Sequence, residues 1–255
     1  MSHQLQRRIV AELVATLFLL AAIVGSGIMG ERLAGGNVAL ALLANSLATG
    51  GALFALIAAF QPVSGAHLNP VVTLVDAWQG GLPWGQTPIV IVAQFVGAAM
   101  GVWVAHLMFG EAWVSLSTHD RSGLAPMVSE FVATFGLVAV MLACARRRPE
   151  LIPAAVSLYI VSAYWFTAST AFANPVVTIA RSLTGTFAGI RPADVHGFVV
   201  AQIAGGAAAA ALMGWLMPSH HASDSSAAAA RGRMTRPNAT TSATNSTPRP
   251  ASTTS

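Results

Sequence analysis

Hydrophobic residues in this chain come in long unbroken blocks, not in alternation and not on one helical face. Six blocks are long enough to cross a bilayer, which takes about 20 residues each. They run over 9–28, 38–60, 88–109, 126–145, 151–170 and 196–217. This pattern predicts an all-α membrane protein with six transmembrane helices. Glu12 lies inside the first block, and a repeat described below includes it, so the block is expected to stay in the mature chain and not to be removed as a leader. Two uncharged stretches, Leu33–Val75 and Leu151–Ala180, are each too long for one crossing and too short for two with a turn. A segment that dips halfway into the membrane and leaves on the side it entered fits both. Such backbone is tolerated only where it is buried in protein or lines a wet cavity. Two re-entrant half-helices therefore predict a pore or a solute site near the midplane.

The blocks also repeat. AELVATLFLL (11–20) is matched by SEFVATFGLV (129–138), LNPVVTL (68–74) by ANPVVTI (173–179), and VAQFVGAAMG (92–101) by VAQIAGGAAA (200–209). The order is preserved, and three spans per unit insert the second copy upside down relative to the first. The result is an inverted repeat about an axis in the membrane plane. In each half-crossing an Asn precedes a Pro. Asn is a preferred helix N-cap and Pro is favoured at the first helical position, so Asn69–Pro70 and Asn174–Pro175 each start a short helix whose N-terminus faces the centre. The positive ends of the two helices repel cations, and both Asn amides carry donors that a hydroxyl-bearing solute can use.

Composition narrows the function. Apolar residues make up 55% of the chain and charged residues only 9%, against about a quarter in soluble domains. The chain has no lysine, and its basic pI of 10.6 comes from arginines in loops and tails, which orient membrane proteins; no nucleic-acid partner is expected. Arg7, Arg8, Arg146, Arg147, Arg148, Arg231, Arg233, Arg236 and Arg249 fall on the side of the termini, and Arg32, Arg121, Arg181 and Arg191 on the other. The positive-inside rule then places both termini in the cytoplasm. The organisation expected is a cytoplasmic N-terminus over 1–8, a channel domain over 9–218 (repeats 9–109 and 126–217), and a disordered cytoplasmic tail over 219–255. The adjacent His220 and His221 and the sequons at Asn238 and Asn245 fall in that tail. The single cysteine, Cys144, excludes an intramolecular disulfide and a cysteine zinc site. No metal or cofactor is expected, and no motif of an enzyme is present.

SGAHLNPVVTL and ANPVVTIARSL, together with Glu12 and Glu130, resemble the aquaporin and aquaglyceroporin family over residues 8–217. The resemblance implies one pore per protomer in a homotetramer, with the central constriction at Asn69, Pro70, Val71, Asn174, Pro175 and Val176. It also implies that Glu12 and Glu130 are structural and hydrogen-bond the half-helix loops. The departures from the pattern carry information. Both motifs read Asn-Pro-Val where Asn-Pro-Ala is usual, and Val177 stands where the family places a filter arginine. Distance from the motif asparagines puts the other filter positions at Thr49, Ser162 and Ala171. Such a ring is wide and free of fixed charge. It resembles the solute-permeable branch found in bacterial inner membranes, which passes arsenite and other neutral metalloid hydroxides, glycerol, urea and water.

Arg181 lies one turn beyond Val177, and it is expected to snorkel to the outer interface or pair there. The competing possibility is that it fills the filter and makes the pore water-selective. His67 is a candidate lining residue. Gln94 and Gln202 are expected to link helices, and Gly97, Gly101, Gly205 and Gly206 to allow close helix contact. His106 has no role readable from the sequence. An inverted-repeat secondary transporter is the remaining alternative.

Overall fold

Eight α-helices and no strand make up residues 1–217, the part of the chain that the computed structural model describes. The 219–255 tail, with its histidine pair and sequons, lies outside the described residues. The helices are α1 (His3–Leu33), α2 (Val38–Ser64), α3 (Pro70–Trp78), α4 (Thr87–Phe109), α5 (Leu124–Arg147), α6 (Ile152–Phe166), α7 (Pro175–Arg181) and α8 (Pro192–Leu216). Five of them, α1, α2, α4, α5 and α8, are long and apolar enough to cross a membrane. The short α3 and α7 are the expected half-helices. Crossings in alternate directions bring Met1 and Met217 to one face.

The fifth span departs from its expected bounds of 151–170. A 3-10 turn at Pro149–Leu151 leads into α6, which has only 15 residues and ends at Phe166. Hydropathy could not mark that end, because the residues that follow are equally uncharged. What ends the helix is the Glu130 carboxylate of α5, which draws Ser169, Phe172 and Ala173 into an irregular loop.

Small residues set the packing of the two repeats. In a bilayer, helices gain little from burying apolar surface and associate instead through close contact and hydrogen bonds. A Cβ on Gly97 would lie 2.2 Å from the Leu13 carbonyl oxygen, and one on Gly101 would lie 2.3 Å from that of Leu17, so α4 meets α1 backbone to backbone. Gly205 repeats this between α8 and α5, with the Phe131 oxygen at 2.4 Å. Gly206 instead admits the Val71 side chain of α3. Gly101→Val should therefore destabilise the bundle by about 1–3 kcal/mol, the usual range for overpacking. The change would be read as a lower thermal midpoint in detergent; an unchanged midpoint would contradict the close α1–α4 contact.

Two polar ties hold the ends of the bundle. Arg146 donates to the carbonyls of Met213 and Met217, closing the C-terminal turn of α8. His106, buried on α4, lies 2.8 Å from the Thr184 hydroxyl through Nε2 and fastens the segment after α7. Its partner is distant in the chain, so sequence reading had no access to this role.

Candidate functional site

Two fully buried carboxylates build the centre of the molecule. Glu12 accepts from the Ser64 hydroxyl (2.7 Å), the His67 and Leu68 backbone N–H groups (both 2.8 Å) and the Gln94 amide (2.8 Å). Glu130 accepts from the Ser169 hydroxyl (2.6 Å), the Phe172 and Ala173 N–H groups (2.9 and 2.8 Å) and the Gln202 amide (2.6 Å). A carboxylate inside a membrane protein is tolerable when its lone pairs are satisfied in this way. Gln94 and Gln202 also donate to Thr73 and Thr178 on the half-helices, at 2.9 and 2.8 Å. They therefore link helices and anchor the half-helix at the same time.

The carboxylates hold backbone that these residues would not adopt alone. Ala66, Leu68, Thr170, Ala171 and Ala173 all have positive φ, between 46° and 62°. Each such non-glycine residue costs about 1–3 kcal/mol and persists only where its surroundings over-determine it. Asn69 caps α3 by accepting from Val71 N–H at 2.9 Å, and Asn174 caps α7 by accepting from Val176 N–H at 3.0 Å. Their amides reach across to the opposite loop: Asn69 Nδ2 donates to the Ala173 carbonyl and Asn174 Nδ2 to that of Leu68, both at 2.8 Å. This exchange joins the two half-helices at the centre. Each Nδ2 carries two hydrogens, so one is engaged by the opposite loop and the other remains for a solute.

A cavity of about 400 Å³ runs past this junction. One wall is apolar, with Leu53 and Ile57 of α2 and Val156 and Ile160 of α6. The other holds His67, Asn69 and Asn174. His67 Nε2 lies 3.5 Å from Asp76 Oδ2 near the end that carries the termini. At the other end Arg181, only 2% exposed, lines both this cavity and a smaller one of about 220 Å³ that opens on the opposite face. Its Nε donates to the Ala188 carbonyl, and its guanidinium carbon stands 3.5 Å from the centre of the Phe172 ring. On the rim of that face, Asp194 accepts from Arg191 at 2.9 Å and holds its guanidinium above the ordinary value, while hydrogen bonds from Ser122 lower Asp120.

Known proteins share this architecture. The sequence profile of the major intrinsic protein family matches residues 1–167. Aquaglyceroporin AqpS of Rhizobium meliloti is 51% identical over 201 residues, covering 79% of this chain and 86% of the relative. The chain belongs to the major intrinsic protein family. Rice aquaporin NIP1-4 is 36% identical over 147 residues, 57% of this chain and 52% of that one. The glycerol uptake facilitator protein of Bacillus subtilis is 35% identical over 95 residues, 32% of this chain and 34% of that one. Among solved structures, the aquaglyceroporin from Plasmodium falciparum superposes with a TM-score of 0.65 at 19% identity, covering 82% of this chain and 95% of that one, a likeness of fold. This major intrinsic protein is a membrane channel and not an enzyme.

The cavity wall takes in only part of the residue set expected from the sequence. Thr49, Ala171, Val177, Asn69, Asn174 and His67 all line it. Ser162 does not: it is exposed on the outer side of α6, where its hydroxyl donates to the Leu158 carbonyl at 2.9 Å. The lining face of α6 is Ile152, Val156, Ile160 and Tyr164, one residue per turn. Ser162 stands two residues from the nearest of these, about 200° around the helix. Tyr164 is the residue that was missed, and its hydroxyl sits 3.2 Å from that of Thr49. The i, i+4 spacing was visible in the sequence, but nothing there marked that face as the wet one. Val71 and Val176 pack into the bundle and not the cavity, which takes Val72 instead. Pro70 and Pro175 are buried first residues of their helices. Arg181 corrects a further expectation. It does not reach outward to an interface but turns inward, held by Ala188 and Phe172, so the mouth is not free of fixed charge.

Proposed function

We propose that this channel conducts small uncharged solutes, glycerol and urea as well as water, passively and through one pore per protomer. The supporting observation is the two-sided wall, an apolar face of α2 and α6 opposite the His67, Asn69 and Asn174 groups of the two loops, with the Thr49 and Tyr164 hydroxyls at one end of the apolar face. A polyol presents carbon to one side and hydroxyls to the other, so it is desolvated here at lower cost than in lipid. Relatives named as an aquaglyceroporin and a glycerol uptake facilitator favour the same solute class. The filter is assigned to Thr49, Tyr164, Ala171 and Val177, with Arg181 as an outer rim about 6 Å beyond Val177. Neutral metalloid hydroxides such as arsenite share the size and hydrogen-bonding pattern of glycerol and belong to the proposed range. The arginine distribution supports cytoplasmic termini in a bacterial inner membrane, and the family resemblance supports a homotetramer.

Swelling and uptake by proteoliposomes test the reading with water, glycerol, urea and arsenite. Flux should be linear in concentration and indifferent to proton and sodium gradients; saturating, gradient-driven flux would indicate a secondary transporter instead. Val177→Arg, alone or with Thr49→Phe, should suppress glycerol more than water. Exclusion of glycerol by the unmodified protein would favour the second reading, a water-selective pore. The observation behind that reading is the inward-turned Arg181.

A further inference from the structure

The smaller cavity, on the face away from the termini, is lined by Arg121, Arg181, His119, Asn45, Thr170 and Phe187. We propose that it binds a small oxyanion, a monocarboxylate or a short sulfonate, between the guanidinium groups of Arg121 and Arg181. Arg121 donates through Nε to the Gly189 carbonyl at 2.9 Å and through one Nη to that of Ser169 at 3.2 Å, leaving the other Nη without an acceptor. Arg181 donates only through Nε, to Ala188, so both of its Nη groups lack one. Among the described residues neither arginine has a carboxylate partner, since the ion pairs fall to Arg32, Arg191 and His67.

The nearby acids are already engaged. Asp194 accepts the Arg121 backbone N–H and Arg191, Asp120 pairs with Arg191, and Glu130 has its four donors. Asn45 directs its amide to Ile23 and Ser26. Both guanidinium planes lie over the one Phe172 ring, at 3.5 and 5.0 Å, which fixes their direction without cancelling their charge. Two largely desolvated cations on one ring, with no carboxylate in contact and the buried Glu130 offsetting them only from a distance, are costly. A bound oxyanion relieves that cost and accepts in the paired geometry guanidinium favours. At about 30 Å³ per water, a cavity of about 220 Å³ admits an anion of a few heavy atoms with some water. Because Arg181 also lines the larger cavity, the bound anion lies across the solute path. The site therefore serves as a point of block at that mouth.

Two measurements test this. Calorimetric titration of the purified full-length protein in detergent with methanesulfonate, which stays ionised at every working pH, reads the site without any flux. One saturable event per chain is expected, weakened about tenfold or more in Arg181→Gln and in Arg121→Gln. Arg121→Lys, which keeps a charge if the glutamine variant fails to fold, should fall in between. Absence of saturable binding, or binding indifferent to Arg181→Gln, overturns the proposal.

In proteoliposomes with methanesulfonate on both sides, so that orientation does not enter, solute flux should fall about threefold at twice the dissociation constant, by mass action. The comparison is a sulfonate too bulky for the cavity, at equal ionic strength. Equal flux in the two media with binding intact would overturn the block while leaving the site. This inference draws on the proposed function only for the solute route. A protein that excludes glycerol yet passes water would fail that reading alone, and water flux would then report the block.

Discussion

Replacing Glu130 by Ala is expected to abolish solute flux. The carboxylate takes four donors, and a hydrogen bond to a charged group contributes about 1.5–3 kcal/mol. Without it, the Phe172 and Ala173 N–H groups and the Ser169 and Gln202 side chains are left buried and unpaired. The strongest tie that holds Thr170, Ala171 and Ala173 at positive φ is then lost, and each can recover about 1–3 kcal/mol by relaxing. The Ala173 carbonyl leaves the Asn69 amide as it does so, and the junction of the two half-helices opens or collapses. A loss of flux of at least about tenfold, with a lower thermal midpoint in detergent, is the expected result. Glu12→Ala should match it, because its four partners are the repeat-related ones. Glu130→Gln should be intermediate, since it keeps one acceptor oxygen but turns an NH₂ toward donors. Glu130→Ala protein with normal midpoint and normal flux would remove the carboxylate from the architecture of the pore.

The second large effect is expected at Arg181. Arg181→Ala deletes the charged side chain between the two cavities, together with its bond to Ala188 and its stacking on Phe172. Four- and five-carbon polyols should then enter about tenfold faster than through the unmodified rim, equivalent to about 1.4 kcal/mol in the barrier. Water flux should change much less. Loss of the local positive charge should also raise leakage of small cations, read as current or as a pH-gradient decay. An unchanged solute range in Arg181→Ala would place size selection elsewhere, at Val177 and the Thr49–Tyr164 pair. The contrast with Val177→Arg is informative, since that change adds a guanidinium one turn deeper and should narrow the pore.

Much of this protein was legible in its sequence, and the reasons differ by feature. Block hydropathy marked six crossings, five of which are helices long and apolar enough to span, because lipid demands long apolar helices with internally satisfied backbones. The two Asn-Pro pairs, one in each inverted repeat, located the central junction, since Asn and Pro both favour the first turn of a helix. Symmetry paired Glu12 with Glu130 and Gln94 with Gln202 before any contact was known. The α6 boundary was not legible, because a helix ended by a carboxylate from another helix leaves no mark in its own hydropathy.

The sequence by itself determined the spans other than α6, the duplicated and inverted plan, and the polar residues that meet at the centre, because each follows from local propensity and the demands of lipid. Only the tertiary structure decided which face of α6 lines the cavity, and so placed Tyr164 there and Ser162 outside it. Only it turned Arg181 inward, because a guanidinium goes where acceptors and a ring can hold it, and the Ala188 carbonyl and Phe172 are brought to that place by the folding of distant segments.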